Sequence, residues 1–223
     1  PWEGRRKRLL VADMDSTIIN VECIDELADF AGVKDKVSEI TERAMRGELD
    51  FEGALRERVG MLKGLPLGDL QRAYDERVRL NPGARTLVRT MSAGGGRAVL
   101  VSGGFTFFTS RVAQAAGFAA NRANTLNEDG AALTGTVGEP ILGREAKLAA
   151  LKQEAAGMGI EMTQTLAVGD GANDLAMIEA SGLGVAYRAK PIVAAQADAK
   201  VDSADLTALL YFQGYRAEEF VTD

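Results

Sequence analysis

Four aspartates follow short apolar segments at spacings that could bring their carboxylates together. Asp13 and Asp15 come after the first apolar segment of the chain, and Asp170 and Asp174 come after a later one. In an extended segment residues i and i+2 point the same way, so Asp13 and Asp15 can face one substrate. Like charges this close require a cation, and several hard oxygen ligands suit Mg²⁺. The spacing favours a magnesium site, although each aspartate could instead cap the helix that follows it, Asp174 most readily.

Two further polar features could complete a site for an anion. Ser102, Gly103 and Gly104 combine a hydroxyl with backbone N–H groups just before a predicted helix, an arrangement suited to a phosphate group. Lys147 is a compact positive charge of the kind that binds phosphate. Taken alone, the first feature is equally typical of a plain strand-to-helix turn, and the second of a solvated surface lysine.

The composition limits the chemistry that these residues can perform. The 223 residues include no histidine and one cysteine, Cys23. A histidine base, a Cys-His pair, a zinc site with histidine ligands and an intramolecular disulfide are therefore excluded. A carboxylate can instead attack phosphorus and form an aspartyl-phosphate, while a second carboxylate protonates the leaving oxygen and then activates water.

A parallel sheet is the fold that would position these groups. Continuous apolar runs at 9–12, 98–101, 165–168 and 183–186 are typical of strands buried on both faces, and helical spacings lie between them. We therefore predict an α/β fold with a doubly wound, mainly parallel sheet, whose ligands bind beyond the carboxyl ends of the strands. The first three runs end in the polar clusters described above, and their convergence is the main functional signal.

A helical insertion interrupts this alternation after the first strand. Residues 18–80 show helical spacing without a strand pattern and end at a breaker, Asn-Pro-Gly, at 81–83. We predict a catalytic core formed by residues 1–17 and 81–223, and a small helical cap formed by residues 18–80.

The charge and the cysteine content bear on partners and setting. A net charge of −6 argues against broad binding to nucleic acid or anionic membranes. No apolar run approaches the ~20 residues of a membrane span, and the single cysteine fits a reducing, cytoplasmic setting. The sequence begins at Pro1 instead of methionine, which leaves room for an upstream domain, and it leaves both a monomer and a homodimer open.

The polar clusters occur in the order that characterises a known family. Residues 13–17 (Asp-Met-Asp-Ser-Thr) resemble the first motif of the haloacid dehalogenase-like phosphotransferases. Residues 102–104, Lys147 and 169–174 (Gly-Asp-Gly-Ala-Asn-Asp) resemble the remaining motifs. The resemblance extends from about Leu9 to the last predicted helix, and it implies a Rossmann-like core carrying a helical cap.

The resemblance implies a role for each motif residue. Asp13 would be the nucleophile and a Mg²⁺ ligand, and Asp15 would be the general acid/base, with its backbone carbonyl as a second ligand. Asp170 would be the third protein ligand, and Asp174 would hold it in place without binding the metal ion directly. The residues that would hold the phosphoryl oxygens are Ser102, Gly103, Lys147 and Asn173.

The predicted cap is similar to that of family members that hydrolyse O-phospho-L-serine. In that resemblance Glu22 pairs with the substrate ammonium group, Arg58 pairs with its carboxylate, and Met45 and Phe51 make apolar contacts that exclude water. From the residues alone, Glu22 could equally be a first-turn acid favoured by the helix dipole. Arg58 could be solvated, and Met45 and Phe51 could be core residues.

The implied function is Mg²⁺-dependent hydrolysis of O-phospho-L-serine to L-serine and phosphate, the last step of L-serine biosynthesis. A related enzyme could instead pass the phosphoryl group to another acceptor, such as homoserine, or act on another small phosphate ester. A protein that only senses phosphoserine would lack Asp13, Asp15 or Lys147, and all three are present. A dinucleotide-dependent oxidoreductase would need a glycine fingerprint where this chain has Asp13 and Asp15.

Overall fold

The computed structural model describes residues 4–45 and 48–222, without the side chains of residues 44 and 45. The strands in these residues are β1 (Leu9–Ala12), β2 (Arg97–Phe105), β3 (Ala120–Asn124), β4 (Leu126–Glu128), β5 (Leu133–Val137), β6 (Thr165–Gly169), β7 (Gly184–Tyr187) and β8 (Ala199–Val201). Six of them form one parallel sheet in the order β3-β2-β1-β6-β7-β8, and β4 and β5 form an antiparallel hairpin. The predicted parallel α/β fold is confirmed.

Helices precede and follow the strands of this sheet. They are α1 (Cys23–Phe30), α2 (Lys34–Met45), α3 (Phe51–Gly60), α4 (Leu67–Arg77), α5 (Ala84–Ala93), α6 (Thr106–Ala116), α7 (Arg144–Gly157), α8 (Leu175–Ala180), α9 (Pro191–Ala194) and α10 (Ala208–Phe212). Within the described residues, no helix combines the length and the apolar character that crossing a membrane requires.

The central strand β1 is covered on both faces, as its unbroken apolar sequence predicts. Leu10 and Ala12 belong to one buried cluster, and Leu9 and Val11 belong to another on the opposite side of the sheet. All four side chains are fully buried. Because successive side chains of a strand point to opposite faces, a strand between two helical layers needs apolar residues at every position.

The helices α1 to α4 follow β1 without an intervening strand of the main sheet, as the helical spacing predicts. The hairpin also packs against this helical segment. Gly64 N donates to Leu133 O at 2.8 Å, Leu133 N to Leu65 O at 2.9 Å, and Leu67 N to Ala131 O at 3.0 Å. The division into a core and a cap at residues 18–80 remains a prediction, and these bonds tie the hairpin to the helical side of that boundary.

Strand β2 extends further than the apolar run at 98–101 predicts. Ser102, Gly103 and Gly104 belong to this strand, which continues to Phe105, and α6 begins at Thr106. The hydroxyl and backbone groups of this segment are therefore presented by the end of a strand.

Candidate active site

Three adjacent strands bring the polar clusters to one edge of the sheet. Ala12, the last residue of β1, pairs with Leu100 of β2 on one side and with Val168 of β6 on the other. Asp13 follows directly after Ala12, and the carboxyl ends of its two neighbours carry the Ser102 and Asp170 clusters. The predicted convergence is confirmed by this register.

Lys147 lies between two buried carboxylates. Its Nζ is 2.6 Å from Asp13 Oδ1 and 2.6 Å from Asp174 Oδ1, and Lys147 is only 2% exposed. Burial alone would lower the pKa of Lys147, but the charges of Asp13 and Asp174 outweigh this effect and raise it. The ammonium group therefore stays charged, and Lys147 is not a solvated surface lysine.

More carboxylates lie at this edge of the sheet than the single ammonium group of Lys147 can neutralise. Carboxylate oxygens of Asp13, Asp170 and Asp174 all lie within 4.8 Å of one another. Burial, and then the charge of Asp174, raises the pKa of Asp13 well above its usual range and that of Asp170 to about 6. A divalent cation would remove this electrostatic cost, and an all-oxygen donor set suits a hard cation. The cluster is therefore fit to bind a metal ion.

Asp15 is held by two hydrogen-bond donors of its own. Its Oδ1 accepts the backbone N–H of Cys23 at 2.9 Å, and its Oδ2 accepts the Ser102 hydroxyl at 3.1 Å. Burial raises the pKa of Asp15, while the bonds from Cys23 and Ser102 oppose that rise. A carboxyl group that takes up a proton more readily than usual, beside the pocket, suits a general acid and base.

Asp13 and Asp174 do not cap the helices that follow them. Asp13 and Asp174 occupy N-terminal cap positions, but neither side chain makes a capping bond. The two oxygens of Asp174 are taken instead by Lys147 Nζ and by the backbone N–H of Gly171, at 2.6 and 3.1 Å. The side chains of Asp13 and Asp174 thus make their contacts within the buried carboxylate cluster and not with the helix ends.

Two glycines make room for the carboxylates. A Cβ atom at Gly169, the last residue of β6, would overlap the carboxyl group of Asp174. A Cβ atom at Gly104 would lie 2.9 Å from Asp15 Oδ2. Both contacts are too close for a side chain, so glycine at these positions lets the carboxylates approach the backbone.

A pocket of about 460 Å³ opens above the aspartates. Its walls come from the sheet edge and from helices α1, α2 and α3. The lining residues are Asp13, Asp15, Ser16, Glu22, Ile24, Asp25, Thr41, Phe51, Leu55, Arg58, Ser102, Gly103, Gly104, Phe105, Asp170, Gly171, Asn173 and Lys190. Among the residues that the sequence predicts to bind phosphate, Ser102, Gly103 and Asn173 line the pocket, whereas Lys147 is buried and is not one of the lining residues.

The helical side of the pocket carries charges of both signs. Glu22 lines the pocket and is exposed to solvent, but partial burial of its carboxylate, aided by the charge of Asp15, raises its pKa to about 7. Arg58 donates through Nε to Ala54 O at 3.2 Å and forms no salt bridge with any described residue. Burial lowers the pKa of Arg58, and the charges of Asp25 and Glu22 oppose that effect.

Phe51 brings the helical segment into contact with the sheet edge. Its ring lies so close to the backbone that a Cβ atom at Gly103 would be 3.2 Å from Cζ, and one at Gly143 would be 3.3 Å from Cδ1. The ring therefore closes the pocket on the side of Gly103 and Gly143, whether or not it also belongs to the core of the helical segment. The side chain of Met45 lies outside the described residues, so its predicted contact with substrate stays a prediction.

Comparison with known proteins identifies the family. A model of the haloacid dehalogenase-like hydrolases matches residues 10–179. The chain belongs to this family. A phosphoserine phosphatase of Streptococcus thermophilus is 48% identical over 200 residues, covering 90% of this chain and 93% of that protein. One from Archaeoglobus fulgidus is 45% identical over 206 residues, covering 92% of this chain, but the chain spans only 60% of its length.

A solved structure shares the same architecture. It is described as a phospho-aspartyl intermediate analogue of phosphoserine phosphatase, and it matches with a TM-score of 0.84 and 39% identity. The match covers 93% of this chain and 99% of that one. The helical segment after β1, as well as the sheet, of this haloacid dehalogenase-like hydrolase therefore has a counterpart in that structure.

Sequence reasoning missed several residues of this site. Lys190 lies on the loop after β7, and its backbone N–H donates to Asp170 O at 3.1 Å. The Thr17 hydroxyl donates to Asp170 Oδ1 at 3.3 Å. Asn124, at the end of β3, donates to Gly103 O at 2.8 Å and is buried. Applying the rule of carboxyl ends to β7 as well as to the other three strands would have drawn attention to Lys190.

Proposed function

We propose that this chain is a Mg²⁺-dependent phosphoserine phosphatase, which hydrolyses O-phospho-L-serine to L-serine and phosphate. The observation that carries the proposal is one pocket with Asp13 and Asp15 at its floor and Glu22 and Arg58 on its helical side. The first pair suits transfer of a phosphoryl group, and the second matches the ammonium and carboxylate groups of an amino acid. The relatives named phosphoserine phosphatase support the same substrate.

In this proposal Asp13 attacks phosphorus while Asp15 protonates the leaving oxygen. The bond between phosphorus and the serine oxygen breaks, L-serine leaves, and the phosphoryl group remains on the Asp13 carboxylate. Asp15 is protonated at the start and becomes a carboxylate when L-serine leaves. Water then attacks phosphorus and gives a proton to Asp15, which releases phosphate, frees the Asp13 carboxylate and returns Asp15 to its protonated form. Lys147 holds Asp13 at 2.6 Å and balances part of the negative charge that gathers there.

The cation that we propose for the acidic cluster is Mg²⁺. Asp13, Asp170 and the backbone carbonyl of Asp15 would be its ligands. Asp174, whose two oxygens are already bonded to Lys147 and Gly171, would support the ligands from behind. When bound, Mg²⁺ neutralises charge on the phosphoryl oxygens. Ser102, Gly103 and Asn173 lie on the walls of the pocket, where they would hold those oxygens.

The helical side would set the choice of substrate. Arg58 is free of carboxylate partners among the described residues, so its planar fork is available to the substrate carboxylate. Glu22 would take the ammonium group, and Phe51 would exclude water. We further propose that the reaction completes L-serine biosynthesis in the cytoplasm.

Substrate comparison tests this proposal. Wild type, Arg58→Lys and Glu22→Gln are assayed for phosphate release from O-phospho-L-serine and from an aryl phosphate. We expect both variants to lose at least about tenfold in kcat/KM for phosphoserine, since each removes a charge-assisted hydrogen bond, and to keep turnover of the aryl phosphate. Equal activity of all three proteins on phosphoserine would contradict the substrate assignment. Adding L-homoserine and measuring phosphohomoserine would reveal transfer to another acceptor.

A further inference from the structure

Ser16 has an unusual backbone conformation at the edge of the active site. Its φ and ψ are 56° and −4°, inside the wide helical turn Met14–Ile18. Among the described residues, only Ser16 and Arg188 are non-glycine residues with positive φ. This left-handed conformation is costly for a residue with a Cβ atom, and such strain persists where the surrounding structure imposes it. Here the backbone N–H of Ser16 is held by Val21 O at 3.2 Å.

The strained conformation places the Ser16 hydroxyl against Glu22. Ser16 Oγ donates to Glu22 Oε1 at 2.6 Å, and both residues line the pocket. Glu22 occupies the position before the first turn of α1, but its side chain makes no capping bond to that helix. The carboxylate is thus oriented by Ser16, not by the helix end that the sequence suggested for it.

The hydroxyl also favours the charged form of Glu22. Burial and the charge of Asp15 raise the pKa of Glu22, and the bond from Ser16 opposes that rise. A carboxylate can bind an ammonium group strongly only while it is ionised. Orientation and charge therefore both depend on the same hydrogen bond.

We propose that Ser16 is a positioning residue whose hydroxyl holds the Glu22 carboxylate toward the ammonium group of the substrate. This inference rests on the proposed function and extends it, because it assigns selectivity for ammonium-bearing phosphate esters to the turn that also carries Asp15. Ser16 itself makes no contact with the reacting atoms in this role.

The test compares Ser16→Gly with wild type on two substrates. Glycine adopts the left-handed conformation readily, so this variant removes the hydroxyl while it relieves the strain. The substrates are O-phospho-L-serine and 3-phosphonooxypropanoate, which is the same molecule without the ammonium group. We expect kcat/KM for phosphoserine to fall by about tenfold, mainly through KM, as for loss of a hydrogen bond to a charged group. For 3-phosphonooxypropanoate we expect a change of less than about twofold.

A double-mutant cycle shows whether Ser16 acts through Glu22. In a Glu22→Gln background, Ser16→Gly should cause no further loss on phosphoserine. Ser16→Ala, which also lacks the hydroxyl but keeps the Cβ atom, should behave like Ser16→Gly, and it serves as the second variant if one of them folds poorly. Equal losses on both substrates, or losses that add fully to those of Glu22→Gln, would overturn the inference. A folded wild type that releases phosphate from neither substrate would instead refute the proposed function, and the positioning role with it.

Discussion

Replacing Lys147 with methionine should cost much of the protein's stability, because it leaves two buried carboxylates without their shared cation. Lys147 Nζ lies 2.6 Å from both Asp13 and Asp174, and all three residues are buried. Removing one partner of a buried ion pair typically costs about 3–5 kcal/mol, because the other charge stays buried. We expect a loss in this range for Lys147→Met, since methionine fills most of the lysine's volume and adds no cavity.

Urea denaturation in EDTA at neutral pH measures this loss. The exposed Lys152 on the same helix supplies the control, and Lys152→Met should change the free energy of unfolding by less than about 0.5 kcal/mol. Adding Asp174→Asn to Lys147→Met should recover part of the stability, because it removes one of the two stranded charges.

The pH dependence gives a second check on the same variant. Burial already raises the pKa of Asp13, and loss of the ammonium group must raise it further. The folded variant therefore binds more protons than the unfolded chain, so its stability must rise as the pH falls toward about 5. Two results would refute this account of the cluster. The first is that Lys147→Met loses no more unfolding free energy than Lys152→Met does. The second is that neither lowering the pH nor adding Asp174→Asn reduces the loss.

Three further predictions concern the same site. In Gly169→Ala the new methyl group overlaps the Asp174 carboxyl, so Tm should fall and the free energy of unfolding should drop by about 1–3 kcal/mol. The control Gly157→Ala has no described atom within 4 Å of the new Cβ and should not destabilise the protein, so equal Tm values for the two variants would contradict the packing. Burial and then the charge of Asp174 raise the pKa of Asp170 to about 6, and a carboxylate must lose its proton before it binds a metal ion. The affinity for Mn²⁺, measured by titration calorimetry, should therefore weaken as the pH falls through 6, and an affinity that stays constant would exclude Asp170 as a ligand. Lys190 lines the pocket without an ion pair in the described chain, so its charge can attract the anionic substrate. Lys190→Gln should therefore lower kcat/KM about threefold at low salt but not at about 0.5 M salt, and a loss that does not depend on salt would argue against electrostatic attraction.

Elements with strong boundary signals could be predicted from the sequence to the residue. The sequence predicts helices over 84–93 and 106–116, and these are the bounds of α5 (Ala84–Ala93) and α6 (Thr106–Ala116). A glycine follows each of these helices directly and marks its end. Strand β3 was missed, since its sequence Ala-Asn-Arg-Ala-Asn has no apolar run and it lies at the edge of the sheet. Strand β8, with only three residues, gave no periodic signal.

The candidate site was predictable where it depends on sheet topology. Asp13 and Asp170 follow strands that turned out to be neighbours, so the rule of carboxyl ends brought them together correctly. That Lys147 would bridge Asp13 and Asp174 could not be derived from spacing, because it depends on how α7 packs against the sheet. The Ser16 contact with Glu22 depends on a backbone conformation that the residue type does not indicate.

Phosphate release from O-phospho-L-serine, measured with Mg²⁺ and with EDTA for wild type and Asp13→Asn, tests the central claim most directly. The account predicts metal-dependent release by wild type and its abolition in Asp13→Asn, because the amide cannot accept the phosphoryl group. Asn is nearly isosteric with Asp, so matched unfolding curves would show that the fold is retained. Release that persists in Asp13→Asn, or that EDTA leaves unchanged, would contradict the assignment of Asp13 as the nucleophile beside a bound metal ion.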